Sequence, residues 1–278
     1  MPNQSENGRI FRALHQRDTA FVIPNPWDIG TARILAQLGF EALATTSMGY
    51  AFSVGQLDNS VDRDRMLKHI SEIAAATHLP VSADLQNGWG DDPETCAETI
   101  RLAAQAGAVG GSIEDATSRD DDPIYGLQHS ADRVRAAAEM VHALPFTFTL
   151  TGRAENYLHG RPDLKDTIAR LQAYQEAGAD VLYAPGLAAK EDIAAVVSSV
   201  DRPVNVVMGL QGVQLSLAEL STLGVKRISV GSALNRTALG AFLRAAREMH
   251  DQGTFTFAKD AAPAREVSAM LATDDGQK

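Results

Sequence analysis

The sequence predicts a closed (β/α)8 barrel, and two features of the 278-residue chain support this prediction. One unit recurs four times: an amphipathic helix ends, a glycine follows, and a strand begins two or three residues later. The four glycines are 68, 71 and 46 residues apart, and because one βα unit needs about 30 residues, each interval holds two units. Eight strands alternating with helices favour a closed parallel barrel. The glycines are Gly39, Gly107, Gly178 and Gly224.

The remaining strands are predicted from runs of β-branched and aromatic residues such as FVIPNPWD, PVSADLQ, FTFTLTG and PVNVVMG. The alternative is an open doubly wound sheet, which usually carries an early glycine-rich phosphate loop, and neither GxGxxG nor GxxxxGK[ST] occurs in this sequence. The strands are predicted at 20–24, 41–46, 80–84, 109–114, 146–152, 180–184, 203–207 and 226–230.

Helical patterns separate the predicted strands. Asp92 followed by Pro93 is typical of an N-cap with proline at the first helical position. We expect a further helix at about 5–16, before the first strand, and a polar tail at about 261–278. The whole chain, 1–278, is interpreted as one barrel domain.

Composition excludes several classes of protein. Forty-five per cent apolar residues allow a sizeable core, and 25 basic against 35 acidic residues leave a net charge of −10. This balance argues against nucleic-acid or membrane-surface partners, which are anionic. No segment reaches the roughly 18 to 20 apolar residues of a membrane span, and no signal peptide is recognised. A single cysteine, Cys96, excludes a disulfide framework, so we expect a cytoplasmic protein.

Carboxylates stand at the ends of two neighbouring predicted strands. Asp84 ends the third strand and Glu114 ends the fourth, and because adjacent strands lie about 4.8 Å apart, both side chains can face one small volume. Together with the amide of Gln86 they form an oxygen-rich set that suits Mg2+, with Mn2+ as a second option. The alternative is that Asp84 caps a loop and that Glu114 pairs with Arg153.

Arg153 follows the fifth predicted strand, at the same end of the barrel. A guanidinium there is suited to bidentate binding of a substrate carboxylate. The structural alternative is an ion pair with Glu114 or Glu155, and both roles are compatible if the arginine exchanges partners when substrate arrives.

Hydroxyl residues follow the second strand. Thr45, Thr46 and Ser47 can donate hydrogen bonds to a carboxylate or to a developing oxyanion. Asp58, in the loop GQLDNSVDRD, is by itself typical of a turn residue or a helix cap. Cys96 falls on an outer helix and is predicted to be inert packing.

Six motifs, taken in this order, resemble the isocitrate lyase/phosphoenolpyruvate mutase superfamily: PNPWDIGTARI, ATTSMGYAFSVGQLD, SADLQNGWGDD, GGSIEDA, TGRAENY and GADVLYAPGL. The resemblance covers about 21–249 and is closest to the carboxyphosphonoenolpyruvate or phosphoenolpyruvate mutase-like branch. It implies a barrel whose last helix is exchanged between subunits of a homo-oligomer, a dimer or tetramer. It also implies Mg2+ and a small 2-oxo acid or its enolate.

The resemblance also assigns roles to individual positions. Asp84 resembles the main metal-anchoring aspartate, and Glu114 the glutamate that holds metal-bound water. Arg153 resembles the arginine at the substrate carboxylate. Thr46 and Ser47 resemble the segment that cradles the substrate, Asp58 an acidic residue of the active-site rim, and Asn205 a further substrate-binding residue.

Two departures from the family pattern bear on the reaction. Gln86 stands where the family often has a second aspartate, and the stretch 116–125 lacks the general-acid cysteine of the lyase branch. If the reaction needs a general acid, the candidates at the mouth of the barrel, its rim, are a metal-bound water, Tyr125 and His159.

The sequence thus predicts a Mg2+-dependent enzyme that cleaves the bond next to the carbonyl of a small 2-oxo acid or dicarboxylate. A C–C lyase or an oxaloacetate-type decarboxylase comes first, because decarboxylation needs no cysteine acid. Cleavage or formation of a P–C bond, as in a mutase or hydrolase, is the alternative. A weakly active 2-oxo acid binding protein is the third hypothesis.

Overall fold

The computed structural model describes residues 2–210 and 214–272, and these residues contain one sheet of eight parallel strands. In the sheet the order is β1-β8-β7-β6-β5-β4-β3-β2, as a barrel requires. All eight predicted strands are confirmed, each slightly shorter than expected. They are β1 (Phe21–Ile23), β2 (Leu43–Ala44), β3 (Val81–Asp84), β4 (Gly110–Glu114), β5 (Thr149–Arg153), β6 (Val181–Tyr183), β7 (Val204–Val207) and β8 (Arg227–Ser229).

Hydrogen bonds beyond the strand ends bring the two outer strands together. The Ala44 N–H donates to the Pro24 carbonyl oxygen at 3.1 Å. The Asn25 side chain donates to the Thr45 carbonyl oxygen at 2.9 Å and accepts from the Val230 N–H at 2.9 Å. Asn25 therefore ties the ends of β1, β2 and β8 into a nearly closed barrel.

Eleven α-helices and one 3-10 helix lie among the described residues. The Asp92 cap is present, with its carboxylate accepting from the Thr95 N–H at 2.7 Å. The helices are α1 (Gln4–Leu14), α2 (Ile29–Gln37), α3 (Ser47–Ser53), α4 (Arg63–Ala76), α5 (Pro93–Gln105), α6 (Leu127–Ala143), α7 (Leu164–Glu176), α8 (Lys190–Ser198), α9 (Leu217–Thr222), α10 (Ala233–Gln252), the 3-10 helix (Thr256–Asp260) and α11 (Ala264–Leu271).

Helix α1 lies where the N-terminal helix is expected, and it covers the amino-terminal end of the barrel. Phe11 is fully buried against Phe21 and Val109, which stand at the starts of two strands. A Cβ on Gly110 would come within 2.7 Å of the Phe11 ring, so only glycine allows this approach. The barrel floor is thus closed, and access is left to the opposite end.

The C-terminal segment differs from the predicted polar tail. Helix α11 lies within 261–278 and contacts α2, while residues 273–278 lie outside the described residues. Helix α10 buries only Asn235 and leaves large apolar side chains in solvent, with Phe242 65% exposed. No helix in the described part of the chain is both long and apolar enough to cross a membrane.

A buried histidine makes the fold sensitive to acid. His69 of α4 is 2% exposed, and its ring stacks on Tyr50 with 3.8 Å between ring centroids. Burial lowers its pKa to about 4. Among the described residues its Nε2 atom has no hydrogen-bond partner, and the effect of burial outweighs that of the Asp28 carboxylate, which favours the charged imidazolium.

Replacing His69 with phenylalanine is expected to make folding less sensitive to acid. As the pH falls from 6.5 to about 4, the unfolded chain takes up this proton before the folded protein does, and wild-type stability falls. The loss is up to about 1.4 kcal/mol per pH unit for one group. Phenylalanine keeps the stacking surface but does not titrate. Urea unfolding near pH 7 and near pH 5 measures the difference, and equal losses in both proteins would contradict it.

Candidate active site

A cavity of about 170 Å3 opens at the carboxyl end of the strands. It is smaller than the roughly 300–1,000 Å3 of sites for drug-sized ligands, so it suits a compound of a few carbons. In a barrel this end carries the chemistry, because the loops that follow the strands converge there. Most of the predicted site residues line the cavity: Thr45, Thr46, Ser47, Asp58, Asp84, Arg153 and Asn205.

The segment after β2 holds Asp84 in place. Ser47 donates its N–H at 2.9 Å and its hydroxyl at 2.8 Å to Asp84 Oδ2. The Thr45 hydroxyl accepts from the Asp84 N–H at 2.9 Å, and the Thr46 hydroxyl caps α3 through the Gly49 N–H. Thr45 and Ser47 thus orient the aspartate, and all three hydroxyl residues line the cavity.

Arg153 lies at the centre of an acidic cluster. Its Nη1 atom is 3.1 Å from Glu114 Oε2 and 3.5 Å from Asp84 Oδ1, and its Nε donates to Glu155. Its guanidinium also lies over the Tyr183 ring, 5.2 Å from the centroid. The expected ion pair with Glu114 or Glu155 therefore forms with both residues, and Arg153 still faces the cavity.

Burial makes these carboxyl groups weak acids. It raises the pKa of Glu114 well above its usual range, against the opposing effect of Arg153, and it also raises the pKa of Glu155. Burial, followed by the nearby Asp84 carboxylate, raises the pKa of Asp58. Shifts of this kind in a cleft are typical of groups that hold or move protons.

The charge balance of the cluster fits a divalent cation. One guanidinium serves four carboxyl groups, on Asp58, Asp84, Glu114 and Glu155. Within the described residues no three Asp, Glu, His or Cys side chains form a ready-made metal cage. Mg2+ does not need one, because it commonly takes one or two carboxylates and keeps several waters. Asp84 faces the cavity and fits this role.

Two predicted metal ligands lie outside the cavity lining. Glu114 lies behind Arg153 and contacts its Nη1 atom. Gln86 has a left-handed backbone, with φ +47°, and its amide donates to Asn59 Oδ1 at 2.7 Å. This placement gives no support to Gln86 as a metal ligand, because β3 ends at Asp84 and the strand alternation stops there.

The rim residues considered as proton sources do not line the cavity either. The Tyr125 hydroxyl donates to Asp91 Oδ1 at 2.5 Å, and burial together with that carboxylate raises its pKa to about 12. His159 lies beside Glu155, with 3.9 Å between Nε2 and Oε2. Among the described acidic groups with a raised pKa, the Asp58 carboxyl and the Tyr183 hydroxyl line the cavity, and burial raises the pKa of Tyr183 to about 12.

Cys96→Ser is expected to leave activity intact. Cys96 is fully buried in α5, burial raises its thiol pKa to about 11, and its sulfur lies 3.7 Å from the Asn87 carbonyl oxygen. Replacing a cysteine that acts as the general acid would lower the rate by about 10² to 10⁴-fold. Steady-state rates with the best acid measure this, and a folded but inactive variant would restore the cysteine-lyase hypothesis.

Arg227 is a cavity residue that the sequence analysis missed. It opens β8 and lines the cavity together with Tyr183 and Ser229. Functional polar residues were expected at the carboxyl ends of the strands, whereas Arg227 stands at the opposite end of β8. An arginine two positions before Ser229 in a buried strand is the signal that could have revealed it, because alternate residues share a face.

Known proteins resemble this chain in fold and in sequence over nearly its whole length. A candidate lyase/mutase from Burkholderia cenocepacia J2315 superposes with a TM-score of 0.95 and 65% identity over 98% of each chain. A 2,3-dimethylmalate lyase of the PEP mutase/isocitrate lyase superfamily superposes with a TM-score of 0.85 and 25% identity, over 99% of this chain and 96% of the other. An oxaloacetate decarboxylase from Chromohalobacter salexigens is 26% identical over 262 residues, 90% of this chain and 88% of the relative.

The family model for phosphoenolpyruvate phosphomutase matches residues 11–250, which is most of the chain. The barrel, the order of its motifs and the match over this range agree with the resemblance found in the sequence. The chain belongs to the phosphoenolpyruvate phosphomutase family, within the isocitrate lyase/phosphoenolpyruvate mutase superfamily.

Proposed function

We propose that the protein is a Mg2+-dependent lyase that acts next to the carbonyl of a small 2-oxo acid or dicarboxylate, where it cleaves a bond of the carbon atom adjacent to that carbonyl so that an enolate is left. The observation that carries this proposal is the arrangement of Asp84 and Arg153 side by side at the mouth of a small cavity, 3.5 Å apart. A fixed carboxylate for a cation next to a fixed guanidinium matches the needs of an acid that must be held while negative charge develops on it.

The chain's own residues hold the acid and shape the charge around it. Arg153 offers N–H groups to a substrate carboxylate and releases part of its contact with Glu114 or Asp84 as substrate binds. Ser47 keeps Asp84 oriented through two hydrogen bonds. Asn205 has its amide oxygen engaged by Arg227 and donates to Ser229, so it is fixed before any substrate arrives.

Asp84 would hold Mg2+, with Glu114 acting behind Arg153 on the water around it. When bound, the ion supplies positive charge that stabilises an enolate-like product of bond cleavage. Asp58, which lines the cavity and whose pKa burial raises, would then donate the proton that the new carbanion carbon needs. The enolate of pyruvate is the expected common intermediate.

Cleavage of a C–C bond, including decarboxylation of an oxaloacetate-like acid, comes first among the possible reactions. The stretch 116–125 contains neither cysteine nor histidine, and Cys96 is buried in an outer helix. Decarboxylation releases CO2 and needs no acid at the bond-breaking step. The oxaloacetate decarboxylase and the dimethylmalate lyase among the relatives support this choice.

Cleavage or rearrangement of a P–C bond is the second candidate. The family model that covers 11–250 is that of phosphoenolpyruvate phosphomutase, and such a reaction passes through the same enolate-like charge distribution. The two candidates differ in the group that leaves and share Asp84, Arg153 and Asp58. A weakly active 2-oxo acid binding protein remains the third hypothesis. Turnover of any of the acids in the assay below would contradict it.

Pyruvate release tests these candidates directly. Purified protein with Mg2+ is assayed against oxaloacetate, substituted malates, methylisocitrate and phosphonopyruvate. We expect one carbon acid to give pyruvate faster than an Asp84→Asn control, which also corrects for metal-catalysed decay of oxaloacetate. Release from phosphonopyruvate alone selects the P–C reaction, and no release above the control from any acid contradicts the proposed enzyme.

We further propose a cytoplasmic homo-oligomer, a dimer or tetramer, in which α10 packs on a neighbouring subunit. The exposed Phe242, Leu243 and Met249 of α10 support this arrangement, because a long helix with apolar side chains in solvent is typical of an interface. Light scattering after gel filtration should give a multiple of 29.7 kDa. Phe242→Glu is expected to lower that mass, and a monomeric wild-type protein contradicts the arrangement.

A further inference from the structure

A second guanidinium lies deeper in the same cavity and binds only neutral groups. Arg227 is 5% exposed. Its Nε donates to Asn205 Oδ1 at 2.9 Å and its Nη2 to Thr151 Oγ1 at 3.0 Å, while its Nη1 lies 3.4 Å from His15 Nε2. His15 is itself uncharged, because burial and then the neighbouring Arg227 charge lower its pKa to about 3, against the opposing effect of the 2.8 Å hydrogen bond between its Nδ1 and the Phe11 carbonyl oxygen.

Arg227 therefore carries a charge that its surroundings do not balance. In the described ranges 2–210 and 214–272, no Asp or Glu side chain forms an ion pair with it, whereas Arg153 has three such partners. Burial lowers its pKa to about 10, which leaves it cationic at neutral pH. A guanidinium has five N–H donors, and three hydrogen bonds leave two of them unused. A buried charge without a counterion costs several kcal/mol.

The strand register connects this cation with the mouth of the barrel. Arg153 pairs with Tyr183, Tyr183 with Asn205, and Asn205 with Arg227. Arg153 is the last residue of β5, whereas Arg227 is the first residue of β8. Because barrel strands are tilted, this row of paired residues descends from the mouth towards the floor.

The cavity that holds the two arginines has both apolar side chains and hydroxyl groups in its lining. Besides the arginines, the cavity is lined by the hydroxyls of Ser82, Ser112 and Ser229. Hydroxyl groups can donate to an anion and cannot repel it. The cavity thus has a cation-binding aspartate and one arginine at its mouth, and an unbalanced arginine at its floor.

We propose that Arg227 is an anion subsite that binds the second carboxylate of a diacid substrate, while Asp84 and Arg153 hold the 2-oxo acid end. This inference rests on the proposed function and narrows its possible substrates to one chemical class. A carboxylate paired with a guanidinium is stabilised in its charged form, so it is not the group that is lost as CO2. The substrate class is then a dicarboxylic acid that is cleaved with both carboxylates retained.

Binding of two stable acids tests the subsite. Pyruvate has one carboxylate and 2-oxoglutarate has two, and calorimetric titration with Mg2+ present gives the dissociation constant of each. We expect wild-type protein to bind 2-oxoglutarate at least tenfold more tightly than pyruvate. Arg227→Met should abolish this preference. Because Arg227 also holds Asn205, the pyruvate affinity is expected to fall as well, but much less than the 2-oxoglutarate affinity. Arg227→Lys, which keeps the charge, should restore part of the preference.

The thermal midpoint separates a binding role from a structural one. Methionine removes an unbalanced buried charge and also the three hydrogen bonds of Arg227, two effects of opposite sign, so Arg227→Met is expected to change the Tm little. A lower Tm with equal loss of both affinities overturns the subsite, as does a wild-type protein that binds the two acids equally or binds neither. Arg227→Gln provides a second variant if the methionine protein does not fold.

Failure of the proposed function gives a different pattern. If no acid is turned over but the 2-oxoglutarate preference is present and depends on Arg227, the subsite stands and the lyase assignment fails. If an acid is turned over and the Arg227 variants keep the wild-type preference, the lyase assignment stands and the subsite fails.

Discussion

Asp84→Ala is expected to abolish Mg2+-dependent activity while the barrel stays folded. Asp84 faces the cavity at the end of β3, next to Arg153, and its carboxylate is the ligand that we propose for the ion. Charge stabilisation by a metal is worth several kcal/mol, and about 4 kcal/mol corresponds to roughly a thousandfold loss in kcat/KM. Steady-state kinetics over a Mg2+ titration, with circular dichroism of the same samples, measures both parts of the prediction.

Asp84→Asn is the matched control for the structural part of this role. An asparagine oxygen can still accept from the Ser47 N–H, so the segment after β2 keeps its position, whereas the charge is lost. We expect both variants to be inactive and the asparagine variant to have the wild-type Tm. Glu114→Gln should weaken Mg2+ affinity less, because Glu114 lies behind Arg153 and would act on the ion only through the water around it. Wild-type turnover and metal dependence in Asp84→Ala would contradict the metal assignment.

Much of the fold is predictable from local patterns in the sequence. The four repeat glycines all have positive φ, from +86° at Gly39 to +106° at Gly178, so each ends a helix as expected. Helix α11 was missed, since the segment 261–278 is largely polar and its contact with α2 involves residues more than 200 positions away. The signal that could have revealed the helix is the spacing of Val267, Met270 and Leu271, at i, i+3 and i+4.

The candidate site is predictable where a strand ends and less so beyond that point. Asp84 and Arg153 lie at strand ends, and the topology alone brings them together. Gln86 lies two residues past β3, where a turn replaces the alternation and rotates its amide towards Asn59. Arg227 was missed for another reason: its position in the cavity depends on the tilt of the barrel, which is set by the register of all eight strands.

The second large effect is expected at Arg153. Arg153→Met removes the one cation shared by Asp84, Glu114 and Glu155. Breaking such a buried pair from one side costs about 3–5 kcal/mol of stability. The folded protein then binds protons more tightly than the unfolded chain does, because repulsion adds to burial and raises the carboxyl pKa values further. The loss of folding stability is therefore smallest at low pH and grows as the pH rises through the pKa values of these carboxyl groups. Urea unfolding at several pH values measures this dependence.

Arg153→Lys separates substrate binding from this structural role. Lysine keeps the positive charge among the carboxylates, so stability should stay close to that of the wild type. It lacks the planar fork that binds a carboxylate through two parallel hydrogen bonds. We expect the KM for the best acid to rise by about 10- to 150-fold, the equivalent of roughly 1.5–3 kcal/mol for a charged hydrogen bond. An unchanged KM in a stable lysine variant would remove Arg153 from the substrate carboxylate and leave it as the counterion of the acidic cluster.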